Sequence, residues 1–415
     1  MDDRPAADRA SGNARLHRNV WAATGTSFLT DVSSEMVQNV LPLFLANVLG
    51  VRVWAVGVVF GLADTTAALL KLGSGWLSDR FGRRKGLAVA GYAISALSKP
   101  FLYVASTWGA VAAVRFADRV GKGVRTAPRD ALLADSTPAA RRGLAFGLHR
   151  AGDTAGAVIG LLVTVQVVAS VQGGGALLAE EAFRSLVLWS LLPAFAGVVV
   201  LAAVARDVAP TGPGQEPPRV RFRGLGRGFG AFVVASVVFE LGNSADAFLV
   251  LRAQERGLSV LGVLWVLIAF NVVYAAVSAP AGWLADRMPR KAVLATGWAL
   301  YALVYLGFAM ADSPRHVAAL YVVYGAYHGL VAGAAKALVA DLVPAELRGT
   351  AFGTWAAMVG LVSLPASLLA GVLWEGFGRF AGYGAAAPFY FGAAAAAVAV
   401  VLLWLSVPGG RSTEA

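Results

Sequence analysis

The 415-residue chain contains no cysteine, and only 14% of its residues are charged. The missing thiols exclude disulfides and thiolate metal sites. The scarcity of charge excludes an ordinary soluble domain, in which about a quarter of residues are charged. Acidic residues are scarcer than basic ones, 24 against 35, for a net charge of +11. In a soluble protein that surplus would suggest nucleic acid. Here cationic loops that hold the cytoplasmic side of a membrane protein explain it better. The first eighteen residues, MDDRPAADRASGNARLHR, are polar and charged. No short apolar core with a cleavage site follows them, and the first apolar run is too long for a signal peptide, so it is expected to stay.

What the chain has instead is hydrophobic length. It is 58% hydrophobic, with a mean hydropathy of +0.66. Apolar stretches of about 20 residues recur, each long enough to cross a hydrocarbon core of about 30 Å. They are rich in Ala, Leu, Val and Gly and do not alternate polar with apolar, which favours helices over barrel strands. Spans are expected near 20–48, 53–77, 87–106, 108–127, 144–170, 184–205, 228–251, 258–284, 292–311, 316–340, 350–374 and 386–406. The sequence therefore predicts an all-α integral membrane protein of twelve transmembrane helices. With these boundaries roughly 20 Lys and Arg fall in one set of loops and roughly 6 in the other, an asymmetry that sets orientation. Both termini are expected in the cytoplasm, as an even number of spans requires.

The chain divides into a cytoplasmic N-terminal tail (1–19), a six-helix bundle (20–205), a linker (206–227), a second six-helix bundle (228–406) and a cytoplasmic tail (407–415). The linker is rich in Pro, Gly and Arg. The halves are similar. GWLSDRFGRRKGLAVAGYAISAL (75–97) aligns with GWLADRMPRKAVLATGWALYAL (282–303), and LLADSTPAARRGLAFG (132–147) with LVADLVPAELRGTAFG (338–353). Repeats of this kind build transporters whose substrate site lies between the halves near the bilayer midplane.

GWLSDRFGRRKGL, from Gly75 to Leu87, lies between spans 2 and 3 and resembles the major facilitator superfamily signature G-x-L-a-D-r-x-G-r-k at essentially every position. With a degenerate second copy after span 8, the twelve spans and the repeat, the resemblance covers nearly the whole chain. It implies the fold of that superfamily, two pseudo-symmetric six-helix halves that rock about a central cavity. It also implies a gating role for this loop, locking the outward-facing state. The gating candidates are Gly75, Asp79, Arg80, Gly82, Arg83 and Arg84, with Arg129, Asp130, Asp286 and Arg287. Gly75 and Gly82 permit close approach and a tight turn, and Asp79, Arg80, Arg83 and Arg84 can form ion pairs and cap helix ends.

In span 4, RVGKGVRTA resembles the family pattern R-x-x-q-G-x-g-a-a, with Arg119 on its arginine and Gly123 on its glycine. Lys122 replaces the usual Gln and Arg125 a small residue, so the site is more basic than the pattern. In proton-coupled members that arginine is implicated in proton transfer. The longer string DRVGKGVRTAPRDAL is similar to that of a prokaryotic branch of the superfamily. In span 5, Gly143, Gly152, Gly156 and Gly160 keep the spacing of the family's antiporter signature, with Ala157 and Leu161 where Pro and Gly are usual. Small residues four apart also bring membrane helices together generally.

A charge at the bilayer centre costs at least roughly 2.5–3.5 kcal/mol on insertion scales, so each is a candidate site residue. In TDVSSEMVQNVLP of span 1, Asp31 and Glu35 share one helical face. Two neighbouring carboxylates resist being ionised together, which suits a group that binds and releases protons; the alternative is a permanent ion pair with Arg or Lys. Span 7 holds Glu240, which aligns with Asp31, together with Asn243 and Asp246; the last is expected at the extracellular rim. Span 5 adds His149, Arg150 and Asp153, the last two able to pair at i,i+3. At 100° per residue Arg115, Asp118, Arg119, Lys122 and Arg125 share one arc, expected to face the cavity with Asp31, Glu35 or Asp153 as partners. Pro128 is expected to end that helix. Arg129 and Asp130 would then belong to the cytoplasmic end.

The proton-coupling candidates are Asp31, Glu35, Arg119, Asp153 and Glu240. The substrate-binding candidates are Gln38, Asn39, Arg115, Lys122, Arg150, Asn243, Asn271, Tyr274, Tyr324 and His328. The expectation is proton-coupled export of a small organic solute in antiport across the cytoplasmic membrane. The alternative is uptake of an anionic metabolite, in symport or by exchange, suggested by the cations of span 4 and Arg150. No metal cluster, nucleotide loop or nucleophile motif supports an enzyme, and the G-K-G at 121–123 lacks the spacing of a phosphate loop. Neither a cofactor nor a nucleic acid is expected; the partners are substrate, protons and lipid, and the chain is expected to act as a monomer.

Overall fold

A computed structural model describes residues 16–81, 84–138, 141–208, 224–344 and 347–408. Within them twelve helical spans follow one another, and the only strand pairing is one isolated bridge between Phe377 and Phe380. The first half contains α1 (Arg18–Gln38), α2 (Val53–Phe81), α3 (Arg84–Ser98, continued by Phe101–Val104), α4 (Trp108–Asp135), α5 (Arg142–Gln172) and α6 (Glu180–Val204). The second contains α7 (Gly226–Gly242, continued by Ala247–Glu255), α8 (Val260–Arg287), α9 (Arg290–Met310), α10 (Pro314–Leu342), α11 (Arg348–Glu375) and α12 (Ala387–Ser406). The loop between α2 and α3 is shorter than expected, because helix runs through Asp79 and Arg80 to Phe81 and resumes at Arg84.

The sequence repeat reappears as a repeat of helix partners. In the first half α1 lies against α5 and α6, and α4 against α2 and α3; in the second α7 lies against α11 and α12, and α10 against α8 and α9. The halves meet through α2 on α11 and α5 on α8. Ten of the twelve helices are long and apolar enough to cross a membrane by length and composition. The exceptions, α1 and α4, carry Asp31, Glu35, Arg115, Asp118 and Arg119. They lie against other helices of their own half, which keeps those charges off the lipid.

Glycines set the close approaches. A Cβ at Gly156 would lie 2.5 Å from the Phe28 carbonyl oxygen and 3.2 Å from the Asp31 Cβ. One at Gly160 would lie 2.6 Å from the Val32 oxygen and 2.9 Å from the Glu35 Cβ. Gly152 meets Thr24 in the same way. Three of the four signature glycines of α5 therefore seat it on the carboxylate-bearing face of α1; Gly143 faces open space. On the α2–α11 side, Gly57 and Gly61 lie against Ser367 and Leu364, Gly371 against Trp54 and Gly360 against Ala68. Thr65 also donates to the Gly360 carbonyl at 2.6 Å.

Three expectations are corrected. Helix α4 does not end at Pro128 but continues to Asp135 with Pro128 buried inside it. In a membrane span the missing N–H is tolerated when neighbouring helices hold the segment, and α2 and α3 do so along α4. The first span is not continuous: α1 stops at Gln38, followed by a short turn at Leu41–Leu43 containing Pro42 and a π-helical turn at Phe44–Val48. Span 7 is broken too, at Asn243–Asp246. Asn, Ser and Asp compete for backbone hydrogen bonds there, and the exposed backbone is answered from α11, where Ser367 accepts from the Ala245 N–H at 3.2 Å.

The α1–α5 contact yields a stability prediction. Gly160→Val should lower the melting temperature measured by fluorescence-detected size exclusion, in line with the ~1–3 kcal/mol typical of overpacking. Gly143→Val, in open space, should leave it unchanged.

Candidate functional site

The two helix breaks face each other across the interface between the halves. Between them lies a cavity of about 210 Å³ lined by Glu35, Gln38, Asn39, Pro42, Phe60, Asp64 and Arg115 from the first half. From the second half come Ala245, Asp246, Ala247, Leu249, Val250, Leu267, Phe270, Asn271, Tyr321 and Tyr324. Both breaks use one device. Asn39 donates back to the Glu35 carboxylate at 2.6 Å and to its carbonyl at 3.2 Å; Asn243 donates to the Glu240 carboxylate at 3.1 Å. An amide just beyond the helix end thus answers a carboxylate one turn back in each half.

Of the substrate-binding candidates, Gln38, Asn39, Arg115, Asn271 and Tyr324 line this cavity. His328 stands behind Tyr324, edge-on to it at 4.7 Å and to Phe270 at 5.3 Å. Arg150 and Tyr274 do not line it. They belong to a second, larger space of about 910 Å³ between α5, α8 and α10 on the side of the termini. There the Arg150 Nη2 donates to the Tyr274 hydroxyl at 2.5 Å and ties the halves together. Arg150 therefore serves Tyr274, and Asp153 finds His149 at 3.8 Å instead of Arg150.

The cations of α4 separate, against the expectation of one cavity-facing stripe paired to Asp31, Glu35 or Asp153. The Arg119 Nη2 donates to Gln38 at 2.7 Å, with Asp64 and Asp118 each 3.9 Å from its Nε. The Arg115 Nη1 lies 3.9 Å from Asp118 and 3.5 Å from Gln38, and its guanidinium sits 4.9 Å over the Phe60 ring. Arg125 turns to α3, donating to Ser95 at 2.9 Å and covering Tyr92 at 4.3 Å. The Lys122 side chain is exposed, with no hydrogen bond or ion pair among the described residues, and within electrostatic reach of Arg119, Arg125, Asp31 and Asp64. The physical reason is that α4 is wedged between α2 and α3, so positions a turn apart meet different neighbours.

Asp31 sits one turn closer to the termini than Glu35 and has no hydrogen-bond or ion-pair partner among the described residues; Glu35, Asp153, Lys122 and Arg125 are its charged surroundings. Glu240, its repeat mate, is half-buried beside Asn243 and does not line the cavity. Lys99 is buried and donates to Ser33 and Ser34 of α1.

The described gating candidates lie toward the termini. Arg129 binds Asp130 at 2.7 Å and donates to Ser27 at 3.0 Å. Arg84 pairs with Asp135 at 2.7 Å, and Arg287 stacks on Trp283 at 3.7 Å. Gly82 and Arg83 lie outside the described residues. Gly75, Asp79, Arg80 and Asp286 are helical, but their side chains lie outside what is described.

On the side away from the termini the halves are closed. Leu41, Leu43 and Phe44 after α1, and Phe248 and Leu249 after the α7 break, are buried. The Val53 N–H donates to Glu375 at 2.5 Å, and Trp54 meets Phe377 edge-on at 5.1 Å. Fully buried Arg252 fixes the α7 continuation to the end of α9, donating to the carbonyls of Phe308 and Ala309 at 3.0 and 2.9 Å. Toward the termini, by contrast, Lys71, Lys122, Arg150 and Lys336 are exposed.

Residues 23–251 and 228–414 match the family described as Major Facilitator Superfamily. The chain belongs to the major facilitator superfamily. An uncharacterized MFS-type transporter of Methanocaldococcus jannaschii is 35% identical over 87% of this chain and 89% of its own. Among solved structures, a nucleoside transporter matches with a TM-score of 0.76 at 12% identity, over 93% of this chain and 98% of the other. A bacterial homolog of the human lysosomal transporter Spinster, inward-facing and occupied, matches with a TM-score of 0.71 at 16% identity, over 95% and 96%. At those identities the structures speak for the fold alone. The protein is thus a multi-pass membrane transporter of a small molecule, with the all-α, twelve-helix superfamily fold.

Sequence reasoning missed Phe60 and Asp64 as cavity residues and placed Asp246 at the rim. Asp246 instead lines the cavity, where its carboxylate accepts from the Tyr324 hydroxyl at 3.1 Å. The Asn, Ser and Asp cluster in FELGNSADAF was the available signal for a helix break, and a broken span is where transporter sites form.

The absence of native cysteine makes access to the cavity directly measurable. In Lys122→Cys a membrane-impermeant maleimide should label quickly from the face bearing the termini. Leu43→Cys should resist labelling from either face.

Proposed function

We propose that this transporter exports a small organic solute in exchange for protons across the cytoplasmic membrane, as a monomer in lipid with both termini in the cytoplasm. The excess of cations in the loops on the terminal side supports that orientation. In it, the buried plug faces the exterior and the exposed cations face the cytoplasm, which supports a solute that loads from inside.

The observation that carries the coupling is the carboxylate pair on α1. Asp31 and Glu35 share the face that Gly156 and Gly160 hold against α5. Asp31 has no hydrogen-bond or ion-pair partner among the described residues, while the exposed Lys122 lies within its electrostatic reach. Neutralising Asp31 then has two routes, a proton or the Lys122 ammonium. Each suits a different arrangement of α1 and α4, so proton binding and release bias one arrangement over the other. Glu35 belongs both to this pair and to the cavity lining, which supports a solute bound one helical turn from the proton. The halves rock on the α2–α11 contact while the wider α5–α8 side opens and closes. Arg129, Asp130, Arg84 and the α2–α3 turn act at the cytoplasmic gate.

A second reading, uptake of an anionic metabolite by symport or exchange, is favoured by one observation. Arg115 lines the cavity, and its Nε and Nη2 are buried without hydrogen-bond partners among the described residues. Competition by phosphorylated or carboxylated solutes in a binding assay separates the two readings.

In proteoliposomes loaded with candidate solutes, flux should follow an imposed pH gradient. Asp31→Asn should abolish that dependence while the protein remains folded and binds solute. Equal flux with and without the gradient in the unsubstituted protein would remove the coupling.

A further inference from the structure

The central cavity is lined by two groups of opposite charge, one on each half, and each keeps hydrogen-bonding capacity that its own neighbours do not use. Arg115 is 5% exposed. Its Nη1 is directed to Asp118 and Gln38, but Nε and Nη2 have no hydrogen-bond partner among the described residues. Those two N–H groups form an edge of the guanidinium that receives a carboxylate through two parallel hydrogen bonds. The Phe60 ring beneath the guanidinium holds its plane.

On the other half, Asp246 sits in the break of α7, exposed and held by the Tyr324 hydroxyl. Near it the cavity wall is aromatic. Phe270 stacks on Tyr324 with centroids 5.6 Å apart, and the Tyr321 hydroxyl is buried without a hydrogen-bond partner among the described residues. A carboxylate beside ring faces and a spare hydroxyl suits an ammonium, which takes charge from the first, quadrupole attraction from the second and a hydrogen bond from the third.

The remaining lining narrows the choice. Glu35, Asp64 and Asp246 repel a dianion such as a phosphate ester. A simple organic cation would answer Asp246 and leave the buried donors of Arg115 unmet. The volume of about 210 Å³ is below the range of roughly 300–1,000 Å³ of pockets that take drug-sized ligands. We propose that the cavity binds a small zwitterion, its carboxylate on Arg115 and its ammonium on Asp246. Such a ligand spans both halves. This assignment rests on the central cavity being the transport site, not on proton coupling.

The test uses the full-length protein in detergent, with thermal unfolding read from tryptophan fluorescence. The probes are linear amino acids of two to six carbons, each beside the carboxylic acid and the amine of the same chain length. Ligands that bind the folded state raise the apparent melting temperature. At least one amino acid should give a saturable rise of several degrees that neither monofunctional analogue reproduces. Arg115→Gln and Asp246→Asn should each remove the response. The comparison of ligands on the unsubstituted protein stands even if a variant fails to fold.

The proposal is overturned if amines match the amino acids, if no amino acid shifts the melting temperature, or if Arg115→Gln keeps the full response. In the last case the free donors serve only a water in the small space of about 30 Å³ behind Arg115. A zwitterion that binds but moves without regard to pH gradient would remove the coupling and leave this site standing. Proton-driven transport of a simple amine, with no zwitterion bound, would do the reverse.

Discussion

The arrangement of this protein follows from the cost of holding charge inside a bilayer. Ten spans are apolar enough to face lipid, and two, α1 and α4, are not. Their Asp31, Glu35, Arg115, Asp118 and Arg119 cannot be turned outward, so α1 is enclosed by α5 and α6, and α4 by α2 and α3. The enclosure in turn determines where small residues are needed. Gly156 and Gly160 sit where α5 crosses the carboxylate face of α1, and Gly121 sits where α4 crosses α3 at Gly91 and Ser95. The glycines and the charges are two sides of one solution: helices must come close enough to exclude lipid from groups that lipid cannot solvate.

The same half-and-half architecture produces two unequal seams. Glycine, alanine and serine let α2 and α11 meet from Trp54 and Gly371 to Ala68 and Gly360, with Thr65 bonded across. The symmetry-related seam, α5 on α8, is joined at the Arg150–Tyr274 contact and otherwise borders a space of about 910 Å³. One seam is a longer, closer contact than the other, so relative movement of the halves is expected to use the first as its pivot. The plug of Leu41, Leu43, Phe248 and Leu249 closes the far end. Arg252 clamps the α7 part of that plug to the last carbonyls of α9, where a cation complements the helix dipole.

Much of the fold was legible in the sequence because its signals are long or repeated. Twenty-residue apolar runs have one physical interpretation, and two matching segments at a common offset fix the two halves without any contact being known. The loop motif at 75–87 identified the family for the same reason. The candidate site was legible only in part. Gln38, Asn39, Glu35 and Arg115 stood out as polar groups in apolar spans, and they do line the cavity. Asp246 was misplaced because a span drawn as one unbroken helix puts that residue at a membrane face. The break at Asn243–Asp246 returns it to the centre. Pro128 misled in the opposite direction, since a proline that ends a helix in water is tolerated where neighbouring helices hold it.

By itself the sequence determined what must be buried, how many times the chain crosses the membrane, which halves correspond, and which side carries the cations. These are properties of composition and spacing along the chain, and solvent and lipid act on them one segment at a time. Tertiary structure alone decided partners. Arg119 goes to Gln38 and Asp64, Arg125 to Ser95 and Tyr92, Arg129 to Asp130 and Ser27, while Lys122 is left without a partner among the described residues. These cations lie on one helix within a few turns, and helical periodicity assigns several of them a common arc. Their separation comes from the helices that α4 crosses at each level, and a short-range electrostatic preference is settled only when those neighbours are in place.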